Sequence, residues 1–152
     1  MNALRPEPLD GTRLDSALAT AASRWSQTTA VVATMTVTGC PRRLPDELET
    51  AVLRAAQEAL ANVTRHADAT RVALTLSYME QQVTLDVVDD GAGFDPSAPT
   101  RGYGLAGMRE RAARLAGTLT VESAPGQGTA LCLSIPAAPG AQADQAMDGE
   151  GL

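Results

Sequence analysis

The apolar positions change period several times along the chain, and each change marks an element. Leu14, Leu18, Ala21 and Trp25 recur at helical spacing, which predicts a helix over LDSALATAASRW with Gly11 and Thr12 at its start. Thr29 to Thr38 (TAVVATMTVT) is rich in β-branched residues and alternates loosely, the pattern of a strand. GCPRRLP ends it, with Pro41 and Pro45 as breakers. Asp46 and Glu47 then open a long helix, LETAVLRAAQEALANVTRHA, with Leu48, Val52, Ala55, Ala59 and Val63 on one stripe. Alternation returns in Arg71–Met79 and Gln82–Asp90, and the short Glu80-Gln81 link makes these a hairpin. A Gly/Pro-rich loop, GAGFDPSAPTRGYG, leads into the helix LAGMRERAARLAG, and TLTVESAPGQGTALCLSIP folds as a second hairpin around APGQG. The tail, 138–152, is polar and small-residued, a composition that predicts disorder. Helices combined with antiparallel hairpins predict an α+β fold: a two-layer α/β sandwich, one mixed, mostly antiparallel sheet with helices on one face.

Composition narrows this picture. A chain of 152 residues suits one domain, and with aromatics at only 3% the core must be aliphatic. The formal charge of −6 argues against a nucleic-acid partner, which needs a basic stripe, but not against a nucleotide held by local groups. Cys40 and Cys132 lie far apart with no CxxC or Cys/His spacing, so neither a disulfide framework nor a zinc site is expected, and a reducing cytoplasm is. The start, MNALRPEPLDG, is polar and unlike a signal peptide, and no apolar run reaches the length of a membrane span.

Four constellations carry candidate chemistry. Glu58 and Asn62, four apart, leave one face of the long helix a turn from each other, with Arg65 and His66 on that face or its flank. A carboxylate beside an amide oxygen suits Mg²⁺; a solvated helix edge would show the same residues. Asp89 in DDGAGF ends a hydrophobic strand, where a buried carboxylate can accept from an exocyclic amine while Gly91 and Gly93 let a flat ring approach; a plain Asp-Gly turn is the other reading. GYGLAGMRER runs a glycine-rich loop into a helix whose free N–H groups suit phosphate, although no Walker-type GK[ST] follows; it is otherwise a flexible loop before a helix. PGQGTAL carries Gly126, Gly128 and Thr129, which a hairpin turn explains and to which Thr129 adds a hydroxyl.

Their order decides between these readings. Together they resemble the N, G1 and G2 boxes and terminal GxGT of the histidine kinase, Hsp90, gyrase and MutL ATPase superfamily, over roughly Leu48 to Pro136. QEALANVTRHADA looks like the N box of bacterial sensor histidine kinases, DDGAGF like G1 and GYGLAGMRERA like G2. The GLxGMRER wording, with only Asp95 to Arg101 between the last two boxes, is similar to the short-lidded DesK/NarX-type subfamily. LRPEPLDGTRLDSALATAASRW likewise resembles the stretch that joins the dimerisation/phosphoacceptor helices to the catalytic domain. The domain division expected is therefore a linker remnant over 1–11, an ATP-binding catalytic domain over 12–137 and the tail over 138–152.

The resemblance implies a Bergerat-type fold, ATP and Mg²⁺ as cofactors, and transfer of the γ-phosphoryl to a histidine on the dimerisation domain. From there a response regulator would receive it. It implies Asn62, with Glu58, at the metal and the chemistry; Arg65 and His66 near the phosphates; and Asp89 on the adenine amine. Gly91 and Gly93 would admit the base, Gly102, Gly104, Leu105 and Gly107 would shape the phosphate loop, and Thr129 would line the adenine side. His66, the only histidine, would belong to the nucleotide site rather than accept the phosphoryl group. The expected isolated domain is a monomer and cytoplasmic, even where its parent kinase is membrane-anchored. Trp25 and Met108 read as packing residues, Arg109, Arg111 and Arg114 as a solvated helix face, and Cys132 as a buried thiol. A serine kinase of the anti-sigma-factor type shares the fold and is the second reading; a non-catalytic nucleotide-sensing or scaffold module is the third.

Overall fold

The computed structural model describes residues 13–97 and 103–138. The elements run α1 (Leu14–Gln27), β1 (Val32–Thr38), α2 (Asp46–Asn62), β2 (Arg71–Tyr78), β3 (Gln82–Asp89), α3 (Leu105–Arg114), β4 (Thr118–Ser123) and β5 (Thr129–Pro136). Five strands form one sheet in the order β1-β2-β3-β5-β4. Only β1 and β2 pair in parallel, because α2 crosses between them; the other pairs are antiparallel. The expected α+β class, mixed sheet and helical layer are all present.

Period-two alternation places the core on one side. Val72, Leu74, Leu76 and Tyr78 of β2, Val83, Leu85 and Val87 of β3, and Leu131, Leu133 and Ile135 of β5 are buried. They meet Leu14, Ala17 and Leu18 of α1, Leu48, Val52, Leu53 and Leu60 of α2, and Met108 of α3 in one cluster. Burying a side chain of this size contributes about 1.5–3 kcal/mol. Ala55, Ala56 and Ala59 are also buried, and their small side chains let α2 lie close to the sheet. α2 starts where its acidic residues predict. The Pro45 carbonyl accepts the Leu48 and Glu49 N–H groups at 3.0 Å, and Asp46, Glu47 and Glu49 occupy the first turn, complementing the helix dipole.

The structure departs from the sequence reading at the start of β1, at the end of the long helix and at Cys132, each for a local reason. β1 begins at Val32 rather than Thr29, because Ser26 Oγ donates to the Val31 carbonyl (2.8 Å) and Thr29 Oγ1 accepts from the Val31 N–H (3.2 Å), holding 28–31 in a turn. The long helix stops being α-helical at Asn62 and continues as a π-helical turn, Val63–Ala67, ended by Asp68 in the left-handed region (φ 52°). Cys132 is half-buried on the sheet face away from the helices, in register with Asp86 of β3 and Thr120 of β4, rather than in the core. Burial and the Asp86 carboxylate push its thiol up to about 11. Alternation among apolar neighbours cannot tell a small thiol on the open face from one on the covered face. Gly11, Thr12 and the segments 1–11 and 139–152 lie outside the described residues.

Candidate functional site

The alternation that buries Val83, Leu85 and Val87 carries Asp89, the last residue of β3, inward as well. Register sets it between Val72 of β2 and Thr129 of β5. Only 9% of its surface is exposed, and its Oδ1 accepts the Gly91 N–H at 2.8 Å. Burial holds its pKa above the usual carboxylate value, opposed by that Gly91 hydrogen bond, with neighbouring Asp90 pushing the same way as burial. Asp90 faces the other way. It accepts the Thr70 hydroxyl and the Thr70 and Arg71 N–H groups, which bring it down to about 2.

The loop after Asp89 is interlocked with the β4–β5 hairpin. Gly93 has φ +68°, and a Cβ there would sit 2.1 Å from the Ala124 carbonyl oxygen. Gly128 has φ +75°, and its Cβ would sit 2.2 Å from the Asp89 carbonyl oxygen. Both glycines are therefore explained by backbone packing, which for Gly93 is a reason different from the expected approach of a base and for Gly128 adds a close backbone contact to the expected hairpin turn. Ser123 of β4 secures the junction: its Oγ accepts the Phe94 N–H and donates to the Gly128 carbonyl, both at 2.9 Å. With its one proton used, Ser123 must accept from Thr129 Oγ1 (2.9 Å), which leaves the lone pairs of Thr129 available.

Asn62, His66, Asp89, Gly93, Leu105 and Thr129, drawn from all four constellations, line one pocket together with Ala59, Val63, Val87, Phe94, Tyr103, Val121 and Leu131. The π-helical turn matters here, because its wider winding displaces the side chains that follow Asn62 from the α-helical path and sets His66 on the pocket wall. Gly91 contributes its N–H to Asp89. Glu58, Arg65, Gly104 and Gly107 line an adjoining groove with Arg54, Gln57, Ala61, Tyr103 and Arg111. Gly104 (φ +70°) caps α3, whose first N–H groups face no helical partner. Gly102 lies outside the described residues.

Three residues outside the expected set bind this site together. Arg111 was expected on a solvated face but donates to Glu58 Oε2 at 2.7 Å, tying α3 to α2. Tyr103 stacks on His66 with ring centroids 4.2 Å apart and lies 4.6 Å from Phe94. Its carbonyl accepts from Asn62 Nδ2 at 2.7 Å, while Asn62 Oδ1 accepts from Arg65 at 3.2 Å. Tyr103 and Phe94 sit inside the quoted G2 and G1 stretches and so were within reach of sequence reading; the Arg111–Glu58 pair spans 53 residues and had no local signal. Met108 is buried as expected, and Trp25 packs against the core while its indole N–H donates to Thr64 of the π-helical turn at 2.9 Å.

Among the described residues no group of three or more His, Cys, Asp or Glu side chains could hold a metal ion by itself. Asn62 Oδ1 is a protein oxygen at the pocket that could serve a cation otherwise held by phosphates and water. No described helix is long and apolar enough to cross a membrane.

The family model described as histidine kinase-, DNA gyrase B- and HSP90-like ATPase matches residues 47–139. The chain is 37% identical over 99 residues to the signal transduction histidine-protein kinase/phosphatase DegS of Brevibacillus brevis, covering 64% of this chain and 26% of that protein. It is 37% identical over 93 residues to UhpB of Salmonella typhimurium, another protein of that description, covering 61% of this chain and 18% of the relative. The chain thus spans about a quarter or less of these relatives. In structure it resembles the mycobacterial sensor histidine kinase MprB (TM-score 0.65, 22% identity, 84% of this chain and 97% of that one). The histidine kinase domain of the blue-light activated kinase from Erythrobacter litoralis has the same fold (TM-score 0.65, 22% identity, 82% of this chain and 61% of that one). The chain belongs to the histidine kinase-, DNA gyrase B- and HSP90-like ATPase family, and within it is an ATPase domain of the sensor histidine kinase type.

Proposed function

We propose that this domain binds Mg·ATP and donates the γ-phosphoryl group to a histidine on the dimerisation domain of its kinase, for relay to a response-regulator aspartate. The observation that carries the reading is convergence. Residues from four separate motifs, Asn62, His66, Asp89, Leu105 and Thr129, line one pocket whose deepest polar group is a buried carboxylate. In this reading Asp89 accepts from the adenine amine, which selects ATP over GTP because guanine presents a carbonyl there. Thr129 completes the polar end beside it. The α3 N-terminus at Gly104, Leu105 and Gly107 receives phosphate oxygens, with Gly102 preceding it in sequence and Arg65 across the groove, while His66, which the resemblance put near the phosphates, lines the pocket that takes the base.

Asn62 Oδ1 would hold Mg²⁺, with Glu58 ordering water around it once released from Arg111. The ion supplies charge neutralisation along the polyphosphate. The protein's share is positioning: the β–γ bridging P–O bond breaks, a P–N bond to the acceptor imidazole forms and ADP leaves. His66 is the only histidine in the chain and lines the pocket, which supports an acceptor on another domain and a domain that does not autophosphorylate by itself. We place a linker remnant at 1–11, the catalytic domain at 12–137 and a tail at 138–152, on the cytoplasmic side of a parent kinase. Both curated relatives are named histidine-protein kinases, which favours this over the serine-kinase reading.

Calorimetric titration with ATP and GTP, with and without Mg²⁺, alongside Asp89→Asn, tests the site. Saturable binding that prefers ATP and is lost in the variant is expected. An Asp89→Asn protein that binds ATP as tightly as wild type would count for a scaffold.

A further inference from the structure

Tyr103 makes two contacts that a bound nucleotide would need broken. Its ring lies directly on His66, with centroids 4.2 Å apart and planes 28° apart, and its centroid is 4.6 Å from that of Phe94. Were a purine sandwiched between Tyr103 and His66, the two centroids would stand about 7 Å apart, two van der Waals separations. The observed spacing is direct contact. A purine cannot lie between those two rings while they touch.

The backbone of the same residue holds the other end of the site. Asn62 donates its Nδ2 to the Tyr103 carbonyl at 2.7 Å and accepts from Arg65 on Oδ1, so both ends of its amide are engaged. One residue therefore covers the aromatic wall and fixes the amide proposed for the metal. The adjacent Gly104 sits at φ +70° with the Glu58 carboxylate 3.4 Å from where its Cβ would be. Rotation about this glycine can swing Tyr103 outward without disturbing α3, which begins at Leu105.

We propose that Tyr103 is a built-in occupant of the nucleotide pocket: in the free chain its ring takes the place of the base against His66 while its carbonyl holds Asn62, and nucleotide binds only by displacing it. This rests on the nucleotide-binding reading above. A population with the ring in place lowers the apparent affinity by the fraction of open molecules. Removing the ring returns that loss.

Two measurements test it, with ADP as the probe. By calorimetry, Tyr103→Ala binds ADP about two- to tenfold tighter than wild type, the span set by the typical strength of an aromatic pair, and Tyr103→Phe binds like wild type. Equal or weaker binding by Tyr103→Ala, with wild-type binding measurable, overturns the proposal and makes the ring a ligand contact or a bystander. In the wild-type protein, the nuclear Overhauser effect between the rings of His66 and Tyr103 is present without ligand and disappears at saturating ADP; its persistence overturns the proposal whether or not the alanine variant folds. The chain has one histidine and two tyrosines, so the signals are readily assigned. If neither wild type nor Tyr103→Ala binds ADP or ATP, the nucleotide reading itself fails and this inference with it.

Discussion

Two neighbouring carboxylates show how far a single position in a strand decides chemistry. Asp89 is the last inward residue of β3, and burial raises its pKa. Asp90, one residue on, caps the start of β2 from solvent and is lowered to about 2 by the Thr70 hydroxyl and the Thr70 and Arg71 N–H groups. Their contributions to stability have opposite signs. A carboxylate whose folded pKa is raised is costly to hold ionised at neutral pH, and the cost is relieved as pH falls through that pKa. One whose folded pKa is lowered stabilises above its unfolded value near 3.9 and loses that contribution as pH falls toward 2. Asp89→Asn, which keeps an oxygen for the Gly91 N–H, is therefore expected to melt at or above the wild-type temperature at pH 7 while losing ATP. Asp90→Asn is expected to melt lower at pH 7, with the gap to wild type closing as pH is brought from 4 toward 2. Thermal melts of the three proteins across that range check both signs.

Interlocking of elements, rather than any one of them, shapes the pocket floor. The loop after β3 and the turn of the β4–β5 hairpin meet backbone to backbone: Gly126 N–H donates to the Ala92 carbonyl, and Gly93 and Gly128 face carbonyl oxygens at distances no Cβ tolerates. Gly93→Ala is expected to cost about 2–4 kcal/mol, from left-handed strain plus displacement of the hairpin. Gly107 is the control. It lies within α3 at ordinary dihedral angles, and its Cβ would meet only the Arg111 guanidinium at 3.5 Å, an ordinary van der Waals contact. Gly107→Ala is expected to leave the free protein unchanged or more stable by about 0.5–1 kcal/mol, since alanine loses less backbone entropy in a helix. Urea unfolding of both variants separates the two cases; equal losses would mean that the glycines of the two boxes serve one structural purpose.

For the molecule as a whole, the sheet has one face covered by three helices, and its outer strands β1 and β4 are short, at seven and six residues. Short edges discourage strand addition between copies. The exposed large apolar residues among those described, Val32, Met79 and Val88, fall on separate strands and loops rather than on one dimer-sized patch. The isolated domain is expected to remain monomeric at micromolar concentration. Static light scattering returning a stable dimer mass would contradict this.

Periodicity alone determined the element types, their order and the single helical layer. It did so because burial on one face imposes a fixed period, two on strands and 3.6 on helices, which any aliphatic-rich chain must display. The same alternation determined that Asp89 points inward, and motif order brought six of the thirteen lining residues of the pocket to attention. Tertiary structure alone decided the rest. The π-helical turn after Asn62 is invisible to a 3.6-residue pattern, yet it sets His66 on the pocket wall. The reason for Gly93 and Gly128 lies in carbonyls more than 30 residues away or across a hairpin, and the Arg111–Glu58 pair joins helices 53 residues apart. Tyr103 looks from its sequence like one residue of a glycine loop. That it rests on His66 and holds Asn62 depends on contacts across 37 and 41 positions, which no local pattern encodes because the chain between them is free to place it elsewhere.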